Sequence, residues 1–165
     1  MIKSVIWTVL LCIAAGILQS TLIAQIAFLK VIPDIALCIL VFSAYVNGTM
    51  TGQVSGFLSG LFLDFLSAAP LGLNVLVRTV IGALAGIFKG SFFLDALFFP
   101  VILCALATIL KAVIIFIIHI FLGYGVPVYS FISQIFWIEL ALNCLSAPLL
   151  FFILKRIKPL TIKRN

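Results

Sequence analysis

The sequence predicts an all-α integral membrane protein, a compact bundle of six transmembrane helices with no soluble domain attached. Three observations predict it. Hydrophobic residues make up 65% of the 165 positions and charged residues 8%, whereas a soluble domain is about half apolar and about a quarter charged. The apolar runs are long enough to cross a hydrocarbon layer about 30 Å thick. The ten Lys and Arg residues are unevenly placed, with Lys155, Arg156, Lys158, Lys163 and Arg164 gathered in the tail 155–165. Such clustering is a topology signal. The net charge of +6 is therefore no sign of nucleic-acid binding, because no soluble basic face exists.

The first span is expected over about 4–28. Lys3 ahead of an apolar run, with Ala14, Ala15 and Gly16 beyond, resembles a signal peptide. The run continues too far for a cleaved segment, so a retained helix is the better reading. Gln19, Ser20 and Thr21 lie in its outer half. Lys30 to Pro33 breaks the chain, and Pro33-Asp34 opens the second span, about 34–45. Proline suits a first helical turn, and an acid there complements the helix dipole. That span is short, so it is expected to begin in the headgroup layer or to thin the bilayer locally.

Asn47-Gly48 turns the chain into the third span, about 49–66, and Ala69-Pro70-Leu71-Gly72 into the fourth, about 71–88. Lys89 to Phe99 reads as an interfacial segment. The fifth span covers about 98–122, Gly123 to Pro127 forms a turn, and the sixth covers about 129–154. Six spans place both termini on one side. The basic tail makes that side cytoplasmic, with Lys3 and Lys89 inside and only Lys30 outside. Tyr124 and Tyr129 then sit at the outer interface, and Trp7 and Tyr45 at the inner one.

Gly48, Gly52, Gly56 and Gly60 step by four to Asp64, and Arg78 steps by four to Gly82, Gly86 and Gly90. Residues four apart share a helix face. Folding at Leu71 would set Asp64 opposite Arg78, Gly60 opposite Gly82, and Gly56 opposite Gly86. In lipid, close packing across small residues does much of the work of holding helices together. The stripe serves either this hairpin or a partner's helix. A straight stripe drifts about 40° per step, which leaves Gly48, Gly52 and Gly90 for another surface.

Asp64, Arg78, Lys111 and Glu139 lie within the spans. A charge in lipid costs about 2.5–3.5 kcal/mol on the insertion scale, so each is expected to be paired: Asp64 with Arg78, and Lys111 with Glu139. Two structural ion pairs are preferred over a proton or substrate path. Cys12, Cys38, Cys104 and Cys144 are scattered through apolar runs and read as core residues, not metal ligands. His119, near the outer end of the fifth span, reads as a packed or interfacial histidine and not a catalytic one. No zinc-protease motif, activated serine or phosphate loop is present, so no catalytic, cofactor-binding or metal-binding residue is expected.

Several motifs resemble one family. Leu18-Gln19-Ser20-Thr21, Pro33-Asp34, and Gly52, Gly56-Phe57, Gly60-Leu61 and Asp64 at their spacing, followed by Pro70-Leu71-Gly72, Asn74 and Gly82-Ala83-Leu84-Ala85-Gly86, are similar to MreD, the rod shape-determining membrane proteins of bacteria. The likeness is motif-based over 18–90 and rests on hydropathy over 91–165. Ala83 departs from it, since the family often carries an aromatic residue there. The resemblance implies a non-enzymatic scaffold in the inner membrane, binding the bitopic protein MreC. It also implies work alongside MreB, RodA and a penicillin-binding protein. It implies a fold like that of the substrate-binding subunits of energy-coupling-factor vitamin transporters, which is the alternative function. That alternative requires a polar pocket between helices, for which Gln19, Thr21, Asp64, Asn74, Arg78 and His119 are the candidates.

Overall fold

The computed structural model describes residues 1–23, 31–67, 70–90, 98–123, 133–157 and 160. These residues are all-helical, with six α-helices and no strands among them. They are α1 (Ile2–Leu18, extended by the π-helical turn Gln19–Ile23), α2 (Ile35–Asn47), α3 (Thr49–Leu66), α4 (Leu73–Ile87), α5 (Phe98–Leu122) and α6 (Gln134–Lys155). One helix lies in each of the six stretches expected to cross the membrane. By length and composition, Ile2–Thr21, Phe98–Phe121 and Gln134–Lys155 suit a membrane crossing, while α2 and α4 are apolar but shorter. Residues 91–97 of the expected interfacial segment, the turn from Tyr124 through Tyr129, Lys30, and tail residues 158–159 and 161–165 lie outside the described residues.

The bundle is built around α2. It touches each of the other five helices, and every residue from Ala36 to Tyr45 is buried. A helix with no polar face belongs in an interior. Its 13 residues give about 20 Å of helix, too short for a bilayer. The sequence left two ways to accommodate that length, a start in the headgroup layer or a thinned bilayer. The structure supplies another: protein surrounds α2, so its length need not match lipid. Phe42 meets Phe151 of α6 edge-to-face, with ring centroids 5.1 Å apart, in the geometry aromatic pairs favour.

At the end where α2 hands over to α3, polar groups hold the turn. Asn47 Nδ2 donates to the carbonyls of Ser43 (3.0 Å) and Leu160 (2.8 Å), and Lys89 Nζ donates to the Asn47 carbonyl (2.9 Å). Thr8 and Ser43 share a hydrogen bond of 2.5 Å between α1 and α2. Gly48 makes the turn at φ 99° and ψ 176°, a region essentially confined to glycine, where another residue would pay about 1–3 kcal/mol.

The largest helix–helix contact joins α3 to α4, antiparallel. A Cβ at Gly52 would lie 2.1 Å from the Gly82 carbonyl oxygen, and one at Gly56 would lie 2.4 Å from the Arg78 carbonyl oxygen. A Cβ at Gly60 would lie 2.6 Å from Val75 Cα, and one at Gly86 would lie 2.4 Å from Thr49 Cα. The two backbones are in direct contact, but the expected register is corrected. Gly82 faces Gly52, not Gly60, and Gly56 faces Arg78, not Gly86. The slide is eight residues, or about two helical turns. A stripe repeating every four residues looks the same after a slide of four or eight, so the glycines alone cannot choose. The slide also brings Gly52 into the seam, although the sequence reading left it for another surface. Gly90, at φ 75°, has no atom within 4 Å of where its Cβ would stand.

Gly52→Ala is expected to lower stability by at least the ~1–3 kcal/mol typical of overpacking, because backbone blocks the new methyl. Gly16→Ala, whose Cβ would meet only the movable Leu63 Cδ2, should cost less. Thermal unfolding of both variants in detergent, followed by far-UV circular dichroism, checks the order. Equal melting temperatures would remove the seam as a stability determinant.

Candidate functional site

α1 and α3 end, and α2 and α4 begin, at one pole of the bundle. The buried charges gather near that pole. The sequence assigned Asp34 only to the start of α2, and it does cap that helix, its Oδ1 accepting from the Leu37 amide at 3.0 Å. Its larger role is as a hub. Arg78 Nη2 of α4 donates to Asp34 Oδ1 at 2.9 Å, and Lys111 Nζ of α5 donates to Asp34 Oδ2 at 2.8 Å. The same ammonium donates to Glu139 Oε1 of α6 at 2.8 Å. Asp34 and Arg78 are 9% and 5% exposed.

Four charges thus form one connected group with no net charge. This balance matters where dielectric is low, because an uncompensated buried charge costs several kcal/mol. A neutral network extends it. Asn143 Oδ1 accepts from the Asp34 amide at 2.7 Å, Asn143 Nδ2 donates to Thr108 Oγ1 at 3.0 Å, and Thr108 donates to the Cys104 carbonyl at 2.8 Å. Asn143 and Thr108 are fully buried, and each polar side-chain atom named here has a partner, as interiors require.

Asp64 does not pair with Arg78. Its carboxylate turns to the start of α4, where Oδ2 accepts from the amides of Gly72 (2.9 Å) and Val75 (3.2 Å). Its Oδ1 accepts from the amide and the side chain of Asn74, both at 2.9 Å. The first amides of a helix have no intrahelical acceptor, and a carboxylate is the strongest cap for them. This capping demand selects the register: Asp64 must reach residues 72–75, and the slide of the glycine seam follows. It frees Arg78 for Asp34. Lys111 and Glu139 are in contact, but Lys111 is shared with Asp34.

Asp34 as a hub was missed because it was placed at the membrane surface. The signal was the shortness of α2. A helix too short to span begins below the surface, which brings its first residue to the depth of Arg78.

Beside the cluster lies a cavity of about 320 Å³. Asp34, Arg78, Lys111 and Glu139 line it, with Gln19, Ser20, Ser67 and Asn74 as further polar walls and Ile32, Leu63 and Leu66 as apolar ones. Gln19, Asn74 and Arg78, three of the six polar residues singled out in the sequence, meet here. Gln19 donates through Nε2 to the Pro33 carbonyl. His119 is half-buried in the last turn of α5 and does not line the cavity. No group of three or more metal-ligating side chains occurs among the described residues.

Among the described residues, helices long and apolar enough to cross a membrane, packed around a buried charge cluster with no net charge, fit an integral membrane protein. Residues 1–157 match the family model of the rod shape-determining protein MreD, and the chain belongs to that family. It is a cell-shape protein of the membrane. Neither the curated proteins nor the solved structures give a match.

Asp34→Ala leaves two cations without their shared acceptor and is expected to cost ~3–5 kcal/mol. Adding Arg78→Leu to it should recover part of that loss, because one stranded charge is gone. Asp64→Ala removes a cap and should cost less, ~1–2 kcal/mol. Steady-state accumulation and detergent melting temperatures of the three variants read these differences. A double variant worse than Asp34→Ala would show that pairing is not the main role of Arg78.

Proposed function

We propose that this protein is a non-enzymatic scaffold of the cell-elongation complex. It binds the single membrane helix of an MreC-like partner and helps position the peptidoglycan synthases. The observation that carries this reading is the family match over residues 1–157. A bundle whose backbones touch along α3 and α4, and whose charges are cross-linked through Asp34, is suited to holding a fixed shape for a partner to read. The proposal includes six membrane crossings, an inner-membrane location and cytoplasmic termini. In its support, Lys3, Lys89 and the basic tail then share one side.

The glycine stripe packs within the chain, so the partner's helix is assigned to an exposed apolar face. One such face is the groove of about 380 Å³ between α4 and α5, lined by Ile81, Leu84, Phe88, Leu103, Leu106 and Leu110 among others. MreB, RodA and a penicillin-binding protein belong to the same proposed assembly.

A second reading, the substrate-binding subunit of a vitamin transporter, is favoured by one observation, the polar cavity beside Arg78. The family match favours the scaffold. Mild-detergent purification of a tagged chain from its host, with mass spectrometry of what accompanies it, separates the two. An MreC-like protein with wall synthases is the expected recovery. A pair of transport ATPases with a coupling membrane protein in their place would overturn the scaffold.

A further inference from the structure

The cavity at the α2–α4 pole has walls unlike those of a packing defect. A void left by imperfect packing is apolar and stays dry. This one is walled by two acids, two bases, an asparagine, a glutamine and two serines. Its volume of about 320 Å³ is in the range of small-ligand sites. It is open to the outside of the bundle through the exposed residues Ser20, Leu66 and Ser67.

The chemistry of the walls narrows the occupant. Arg78 uses Nη2 on Asp34, but its Nη1 is buried with no acceptor among the described residues. A buried guanidinium nitrogen without an acceptor is costly; Arg78 lines the cavity, and a small turn of its side chain toward a ligand oxygen there would relieve it. Asp34 has the complementary capacity. Its Oδ1 accepts from Leu37 and Arg78 and its Oδ2 from Lys111, while a carboxylate offers about four acceptor positions. One position is therefore left for a ligand donor. The charged walls sum to zero, so a ligand bearing a net charge would unbalance a low-dielectric site.

We infer that this cavity binds a zwitterion, with its oxyanion toward Arg78 and its ammonium toward Asp34. The apolar walls Ile32, Leu63 and Leu66 accommodate a short hydrocarbon stem. The headgroup of an aminophospholipid and a free zwitterion such as glycerophosphoethanolamine, both phosphodiesters that carry one ammonium, share this chemistry. The site is independent of any partner protein, and its test does not rely on partner capture.

The full chain is purified, delipidated, and titrated with phosphatidylethanolamine, phosphatidylglycerol and soluble glycerophosphoethanolamine. Native mass spectrometry reads the bound equivalents. One retained zwitterion, preferred about tenfold or more over phosphatidylglycerol, is the expected result. Retention of phosphatidylethanolamine alone identifies a lipid as the source, and retention of glycerophosphoethanolamine identifies a soluble ligand.

Ser20→Trp and Leu66→Trp each block the mouth at an exposed position without touching the ion cluster. Either variant that melts like the parent should weaken retention about tenfold or more. No retention by the parent, equal retention of both lipids, or retention unchanged in a folded mouth variant would overturn the inference. If neither variant folds, the preference of the parent for zwitterion over phosphatidylglycerol decides alone.

Discussion

Asp34 is an acid at the head of a helix that cannot reach across a membrane on its own. Removing its carboxylate would take from Arg78 and Lys111 the acceptor that they share. The backbone amide of the same residue holds Asn143. One position therefore ties α2 to α4, α5 and α6. The surrounding helices supply what α2 lacks in length, and α2 supplies the anion that makes their cations tolerable. Burial of α2 and neutrality of the charge cluster are thus two aspects of one constraint. A cation inside a membrane needs a partner, and the partner's helix must then be inside as well.

The α3–α4 seam obeys a different logic. Its energy comes from close contact, since lipid offers no hydrophobic drive between helices. Contact alone leaves several registers equally good. Asp64 breaks the tie by capping the amides at the start of α4, and it does so at one place along the seam only. A small-residue stripe supplies adhesion and a cap supplies position. The partition explains why the acid closing the glycine series has its own work and does not serve as a counter-ion.

Much of this was legible in the sequence. The hydropathy gave six helical stretches, and the boundaries of α3 and α5 agree with those read from residues 49–66 and 98–122. The turn residues Asn47-Gly48 and Pro70-Leu71-Gly72 separated helices correctly. The glycine steps identified the α3–α4 pair as a close contact. What could not be read was which charge meets which. Pairing by proximity in sequence favoured Asp64 for Arg78, whereas the true partner is 44 residues away. Local periodicity carries no information about which of several helices comes to lie alongside. The polar cavity was legible only in part, through Gln19, Asn74 and Arg78, because its walls come from five helices and from the residues that lead into α2.

The shared carboxylate also has a history within each molecule. Asp34 leaves the ribosome 44 residues before Arg78 and 77 residues before Lys111. At about 5–20 residues per second, the wait for Lys111 is about 4–15 s. Until Arg78 follows, α2 is a short helix with an unpaired acid at its head, and of its five neighbours only α1 precedes it. It cannot settle in hydrocarbon until later helices arrive. Biogenesis of this protein is thus a problem of shelter, in which an early segment is kept in a polar or protein-lined setting until the helices synthesised after it close around it.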